Sequence, residues 1–254
     1  MKRCAMTYDW SFYVMVAFVA LLIGLAKGGL GGTLGVLATP LMTLVLPPEE
    51  VLGLVLPLLM IADVFAVAWL WGRWKGRLVL LLLPGGVIGV TVGTLLIANA
   101  PTSTLQFILG VIILLFVVYK FFEQRLVGNL VYTPQPWHGY LAGVLAGFSS
   151  SLAHTGGPPI SIYLVLQRLT PITFNATSAL FFAILNWIKL PYYYSIGLFD
   201  RQLLLSVVWA VPLLPLGVWL GKRMATHIDP RTFERMIVVL LAISGVLLIF
   251  QAWR

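Results

Sequence analysis

Charge is what this sequence has least of. Only 9% of its 254 residues are charged, and eight of them are acidic, where a soluble domain carries about a quarter. With 60% hydrophobic residues and a mean hydropathy of +1.00, the chain cannot clothe a water-facing surface. Cysteine is nearly missing: Cys4 alone excludes an internal disulfide and any multi-cysteine metal site. The three histidines, at 138, 154 and 227, share no ligand spacing on one helix, so no metal is expected. There is no Walker loop, which excludes ATP as the direct driver. The run Gly28-Gly29-Leu30-Gly31-Gly32 follows no strand of a βαβ unit, and the serines near His154 have no third, orienting acid. No enzyme pattern survives, no cofactor is called for, and no removable signal peptide stands apart at the start.

Long apolar runs are what the chain has instead. Val51–Leu70 holds a single charge, Asp63, while Leu78–Ala100 and Ile237–Ala252 hold none; a bilayer crossing takes roughly 20 such residues. The net charge of +8 comes from Lys and Arg placed mostly in the breaks between runs, which fixes orientation against a membrane rather than pointing to nucleic acid. An isolated span must satisfy its own backbone hydrogen bonds, so the expectation is all helix. The candidate segments are 10–28, 33–46, 51–71, 78–98, 104–122, 138–152, 157–168, 173–195, 203–221 and 234–252.

Landmarks then recur in the same order. Gly24–Pro40 is Gly-rich, and so is Gly147–Pro159. A proline turn follows each, Leu46-Pro47-Pro48 and Leu169-Thr170-Pro171, and then an apolar run carrying Asp63 in one case and Asn186 in the other. A polar break and a Gly-x-x-x-Gly helix come next, Gly89/Gly93 and Gly217/Gly221, and both copies close on a proline-marked turn and a last apolar helix. The expected organisation is therefore an all-α polytopic membrane protein of two homologous halves. Residues 1–122 form the first repeat, 123–137 a linker loop, and 138–254 the second repeat.

Length argues that each half opens with a broken helix pair followed by three spans. Trp10–Leu46 as one helix would measure about 55 Å at 1.5 Å per residue, against a bilayer core of about 30 Å. If the Gly-Gly-Pro-Pro segment turns back rather than crosses, the loop bearing Lys222, Arg223, Arg231 and Arg235 falls on the same side as Arg73, Lys75 and Arg77. That suits the positive-inside rule and makes the halves an inverted repeat; Lys2 and Arg3, left outside, object.

The breaks are where chemistry would sit. Glycines let backbone unwind and approach a ligand, and N–H groups opening a half-helix carry partial positive charge that suits an anion. The candidates in the first break are Lys27, Gly28, Gly29, Gly31, Gly32 and Thr33; in the second they are Ser150, Ser151, His154, Thr155, Gly156 and Gly157. Pro158 and Pro159 fit the first turn of the following half-helix. Asn175 and Asn186 could line the same space, with Thr177 and Ser178, and Asp63 is the candidate for a coupling ion or a partner of Lys27. Lys189 follows Asn186 by three on a similar face but near the end of its segment. Blander readings stand beside these: glycines packing helices, Lys27 reaching for an interface, His154 as a hydrogen-bonded core residue, Asp63 in a structural ion pair. Trp69, Trp71, Trp74 and Tyr192-Tyr193-Tyr194 read as an interfacial belt without chemistry.

In these residues the chain resembles the TauE/SafE family of sulfite exporters. The resemblance runs from about Phe12 to Phe250 and is carried by the Gly-rich segment ending in Thr39-Pro40-Leu41, by His154-Thr155-Gly156-Gly157-Pro158-Pro159, and by the repeated Gly-x-x-x-Gly helices. Lys27 and Thr33 interrupt the family's glycine-richer first motif. The resemblance implies a proton-linked secondary carrier of the cytoplasmic membrane for sulfite, sulfonates or related sulfur and carboxylate anions. A passive anion channel of the same fold is the alternative. The partners this implies are a small anion and the lipid bilayer, with no nucleic acid, and a homodimer is among the assemblies left open.

Overall fold

The computed structural model describes residues 9–30, 35–128, 135–224 and 230–253. Every regular element among them is helical. The first half of the chain holds α1 (Trp10–Leu25), a π-helical turn (Ala26–Leu30), α2 (Ala38–Met42), α3 (Pro48–Trp69), α4 (Gly76–Asn99) and α5 (Thr102–Gly128). The second holds α6 (Pro136–Ala153), α7 (Gly157–Leu166), α8 (Pro171–Ser195), α9 (Arg201–Ser206), a 3-10 turn (Val208–Ala210), α10 (Leu213–Met224) and α11 (Pro230–Ala252). Five described helices are long and apolar enough to cross a bilayer: α1 with its π-turn, α3, α4, α5 and α8.

Local chemistry explains where helices begin. Pro48 opens α3 with Glu49 and Glu50 in its first turn, where fixed φ and negative charge both favour a helix start. Thr170 caps α8 by accepting the Thr173 N–H at 3.3 Å, and Asp200 caps α9 by accepting that of Leu203 at 2.9 Å. Pro57, Pro84 and Pro191 sit inside helices without ending them, as neighbouring helices in a membrane bundle permit.

Two boundaries differ from the sequence reading. The span expected at 203–221 is interrupted into α9, a 3-10 turn and α10, because Pro212 lacks the N–H that would carry the helix on. The linker expected from Glu123 is helical as far as Gly128, since Glu, Gln, Arg and Leu all favour helix and no breaker comes earlier.

Small residues set which helices meet. A Cβ on Gly147 would collide with the Gly86 carbonyl, and one on Gly89 with that of Val144, so α4 and α6 touch backbone to backbone. Across the α1–α10 contact, a Cβ on Gly24 would lie 2.8 Å from the Gly217 Cα. The registers give directions. Gly85, Gly89 and Gly93 of α4 abut Tyr140, Val144 and Phe148 of α6 in step, so these helices run parallel. Gly24 and Gly28 step along Leu214 and Val218, so α1 and α10 are parallel too. α3 and α8 are antiparallel: Gly53 abuts Leu198, Asp63 meets Asn186, and the Lys75 N–H reaches Thr177. α5 and α11 are likewise antiparallel, with Gly110 against Ile249 and Gly245 against Leu114.

Both interrupted segments double back. Gly156 lies against the Ala146 carbonyl and the Tyr163 hydroxyl against Gly139, so α7 returns along α6. Lys222 near the end of α10 lies 3.6 Å over the Trp69 ring at the end of α3. α1, parallel to α10, therefore runs the same way as α3, and the chain between them comes back. Charge divides between the ends of the bundle. Arg73, Lys75, Arg77, Lys222 and Arg223 gather where α3 and α10 finish, while Glu49, Glu50 and Asp200, with the single cation Arg201 beside it, lie where α3 begins and α8 finishes.

Candidate functional site

Asp63 is the hub of the interior. It sits in the second half of α3, is 2% exposed, and forms an ion pair through Oδ1 with Lys27 Nζ from the π-turn. Its other oxygen, Oδ2, accepts a hydrogen bond from Asn186 Nδ2 of α8 at 2.6 Å. Both carboxylate oxygens are thus engaged, and the expected pairing of Asp63 with Lys27 is what the structure contains. The widened π-turn brings Lys27 here, a geometry common at functional positions. Its ammonium also lies 5.6 Å from the Phe182 ring centre.

One helical turn past Asn186, Lys189 is fully buried. Its Nζ donates to His154 Nδ1 at 3.0 Å, to Ser150 Oγ at 3.1 Å and to the Ser150 carbonyl at 3.3 Å. His154 ends α6 with φ 53° and ψ 25°, left-handed backbone that redirects the chain into α7. Its Nε2 lies 3.3 Å from the Leu52 carbonyl. A carbonyl only accepts, so Nε2 carries hydrogen and Nδ1 is the acceptor facing Lys189; the ring is neutral with its proton on Nε2. With Lys189 as an ammonium and His154 neutral, the cluster of Lys27, Asp63, Lys189 and His154 holds one positive charge in excess; with Lys189 as an amine it is balanced.

A cavity of about 260 Å³ opens beside this cluster, near the lower end of the roughly 300–1,000 Å³ typical of small-molecule sites. Both breaks line it, the first through Lys27, Gly28 and Gly35 and the second through Ser150, His154 and Gly157. α8 adds Asn175, Ser178, Phe182 and Asn186, and α7 adds Ser161. Trp69, Leu70 and Ile172 form its rim at the cation-rich end.

Other sequence candidates are placed differently. Ser151 is fully buried and turns its hydroxyl to the Gly147 carbonyl at 2.8 Å. Thr155 donates to the Ser149 carbonyl at 3.3 Å, and Gly156 packs on Ala146. These three hold the α6–α7 turn together and do not line the cavity. Pro158 and Pro159 sit in the first turn of α7 as expected, yet they also remove two of its amide donors. The carriers of positive charge here are lysines more than backbone. Gly29 belongs to the π-turn, whereas Gly31, Gly32 and Thr33 lie outside the described residues.

Tyr193 corrects the expectation of an interfacial residue. It is fully buried, and its hydroxyl donates to the Ser151 carbonyl at 2.6 Å, satisfying one of the acceptors that the end of α6 leaves open. Tyr194, 77% exposed, keeps the interfacial role. Lys189, near the end of its segment, is nonetheless fully buried. Its three-residue spacing from Asn186 was the signal that placed it correctly.

Spanning helices, two doubled-back interruptions and a polar cavity between them define a multi-pass membrane protein with a central cavity. The chain belongs to the TauE/SafE sulfite exporter family, whose model, "Sulfite exporter TauE/SafE", matches residues 16–248. It is a transporter of the cell membrane. A protein of Comamonas testosteroni described as "Probable inner membrane transporter protein TsaS" is 28% identical over 186 residues, 72% of this chain and 74% of the relative. One of Cupriavidus necator described as "Probable sulfite/organosulfonate exporter TauE" is 26% identical over 176 residues, 68% of this chain and 67% of the relative. No solved structure matches the chain significantly.

Proposed function

We propose that the protein is a secondary carrier that moves a small sulfur oxyanion, sulfite or an organosulfonate, by alternating access. The observation that carries this reading is a second lysine buried behind the cavity wall: Lys27 is matched by Asp63, whose oxygens are both taken, while Lys189, once protonated, has no counter-charge of its own. An isolated charge among apolar helices is costly, and an anion in the cavity would balance it. The relatives' descriptions, one of which names sulfite and organosulfonates, agree in chemistry. Lys27, Gly28, Ser150, His154, Gly157, Asn175 and Asn186 face the substrate. Asp63 fixes Lys27 and stands as a candidate in coupling.

The halves are related as an inverted repeat. In support, α1 packs on α10 and α6 on α4, each half's first helix on the other half's fourth element, while α3 pairs with α8 and α5 with α11 antiparallel. Reversed equivalents are what a two-fold axis in the membrane plane gives. With the cation-rich end cytoplasmic, the cavity rim at Trp69 and Ile172 opens inward.

Counterflow in proteoliposomes tests the function. Vesicles loaded with unlabelled sulfite are expected to accumulate labelled sulfite transiently and saturably. A conductance without saturable exchange would establish a channel instead. Lys27→Ala should raise the half-saturating sulfite concentration roughly ten-fold or more, the worth of one charge-assisted contact; unchanged affinity and rate would remove Lys27 from the site.

A further inference from the structure

We infer that the Lys189–His154 pair is the proton site of this carrier, gaining a proton as an anion enters the cavity and releasing it as the anion leaves. The inference rests on the transport reading above but assigns the proton to residues other than Asp63.

Lys27 and Asn186 occupy both oxygens of Asp63, which does not itself line the cavity. Lys189 is different. It is 0% exposed, and each of its donors goes to a neutral acceptor. The charged groups acting on it are Asp63 of α3, which attracts its ammonium, and Lys27 of the π-turn, which repels it. His154 faces it from the break, and the Tyr193 ring, one turn further along α8, lies 5.9 Å away.

The network is satisfied with or without the extra proton. As an ammonium, Lys189 gives three hydrogens to Ser150 Oγ, the Ser150 carbonyl and His154 Nδ1. As an amine it keeps the last two bonds, and the Ser150 hydroxyl turns to donate to the nitrogen lone pair. Ser149 and Ser151 commit their hydroxyl hydrogens to the Leu145 and Gly147 carbonyls at 2.7 and 2.8 Å. Among the described residues, Ser150 commits its hydroxyl hydrogen to no acceptor. The proton leaves through Ser150: Nζ gives a hydrogen to Oγ as the hydroxyl hydrogen passes to cavity water, an N–H and an O–H breaking as two O–H bonds form, and Lys189 is left as the amine hydrogen-bonded to His154. His154 and Ser150 line the cavity while Lys189 lies behind them. An anion there stabilises the charged pair, and by reciprocity the charged pair raises affinity for the anion.

The test uses full-length protein in proteoliposomes with a pH-sensitive dye inside. Sulfoacetate serves as the probe, because it has no group titrating between about pH 6 and 8, and labelled sulfite counterflow runs in parallel. Wild type should move about one proton with each sulfoacetate, in the same direction. Lys189→Gln and Lys189→Arg, neither able to titrate, should bring that ratio close to zero; His154→Gln gives a further reading if the lysine variants fail to fold. A ratio near one in these variants, or a wild type that moves sulfoacetate without protons, overturns the inference and leaves the transport reading standing. A wild type that exchanges neither anion defeats both.

Discussion

At the residue scale, the interior polar groups are arranged so that removing one exposes the need of another. Asp63→Asn takes the counter-charge from Lys27 while keeping the shape of the hub. Breaking one side of a buried pair costs about 3–5 kcal/mol, and the lower figure is expected because Lys27 keeps 17% side-chain exposure at the cavity. Thermal unfolding in detergent should show Asp63→Asn well below wild type, with the double variant Lys27→Met/Asp63→Leu recovering most of the loss. Equal loss in single and double variants would show that the pair is not what stabilises this region. Tyr193→Phe is a smaller test of the same logic. It leaves the Ser151 carbonyl without the donor at 2.6 Å, and a buried carbonyl without its partner costs about 1–3 kcal/mol. Sequence brought Asp63, Lys27 and Asn186 together as the structure does, because an acid and an amide stand at matching points of two apolar runs. It did not place Tyr193, since burial at the end of α8 comes from the α6–α7 hairpin wrapping it, and that contact spans about forty residues.

At the element scale, glycine decides which helices touch. Gly147→Ala puts a methyl against the Gly86 carbonyl, where backbone, not a flexible side chain, must give. Overpacking of this kind costs about 1–3 kcal/mol, so the variant should unfold earlier. Gly76→Ala, with nothing within 4 Å of the new Cβ, should stay within about 0.5 kcal/mol of wild type. Matching losses in both would mean that glycine acts through chain flexibility rather than through close approach. These interfaces were legible because Gly-x-x-x-Gly repeats at helical spacing, and so were both breaks, where proline and glycine meet polar side chains. The interruption at Pro212 was written just as plainly. Pro84, five residues before Gly89 as Pro212 is before Gly217, leaves α4 whole, because tolerance of a proline depends on what the neighbouring helices can offer its orphaned carbonyl.

At the scale of the whole molecule, the directions of eight helices and the placement of charge converge on one orientation. α3 and α10 finish at the end carrying Arg73, Lys75, Lys222 and Arg223, and α8 finishes at the opposite end near Asp200. Lys and Arg in short loops favour the cytoplasm, so Trp71 should lie inside and Ser195 outside. Both are exposed, and replacing Cys4, the lone cysteine, frees the background for single-cysteine labelling. In intact cells a membrane-impermeant maleimide should modify Ser195→Cys at once and Trp71→Cys only after lysis. The reverse pattern would turn the molecule over and aim the open cavity outward. Simultaneous labelling of both from outside would show that the two positions share a face, which the antiparallel pairing of α3 with α8 forbids. Sequence alone left this open, because Lys2 and Arg3 argued the other way; it is the return of each interrupted helix that lets the loop charges outvote them.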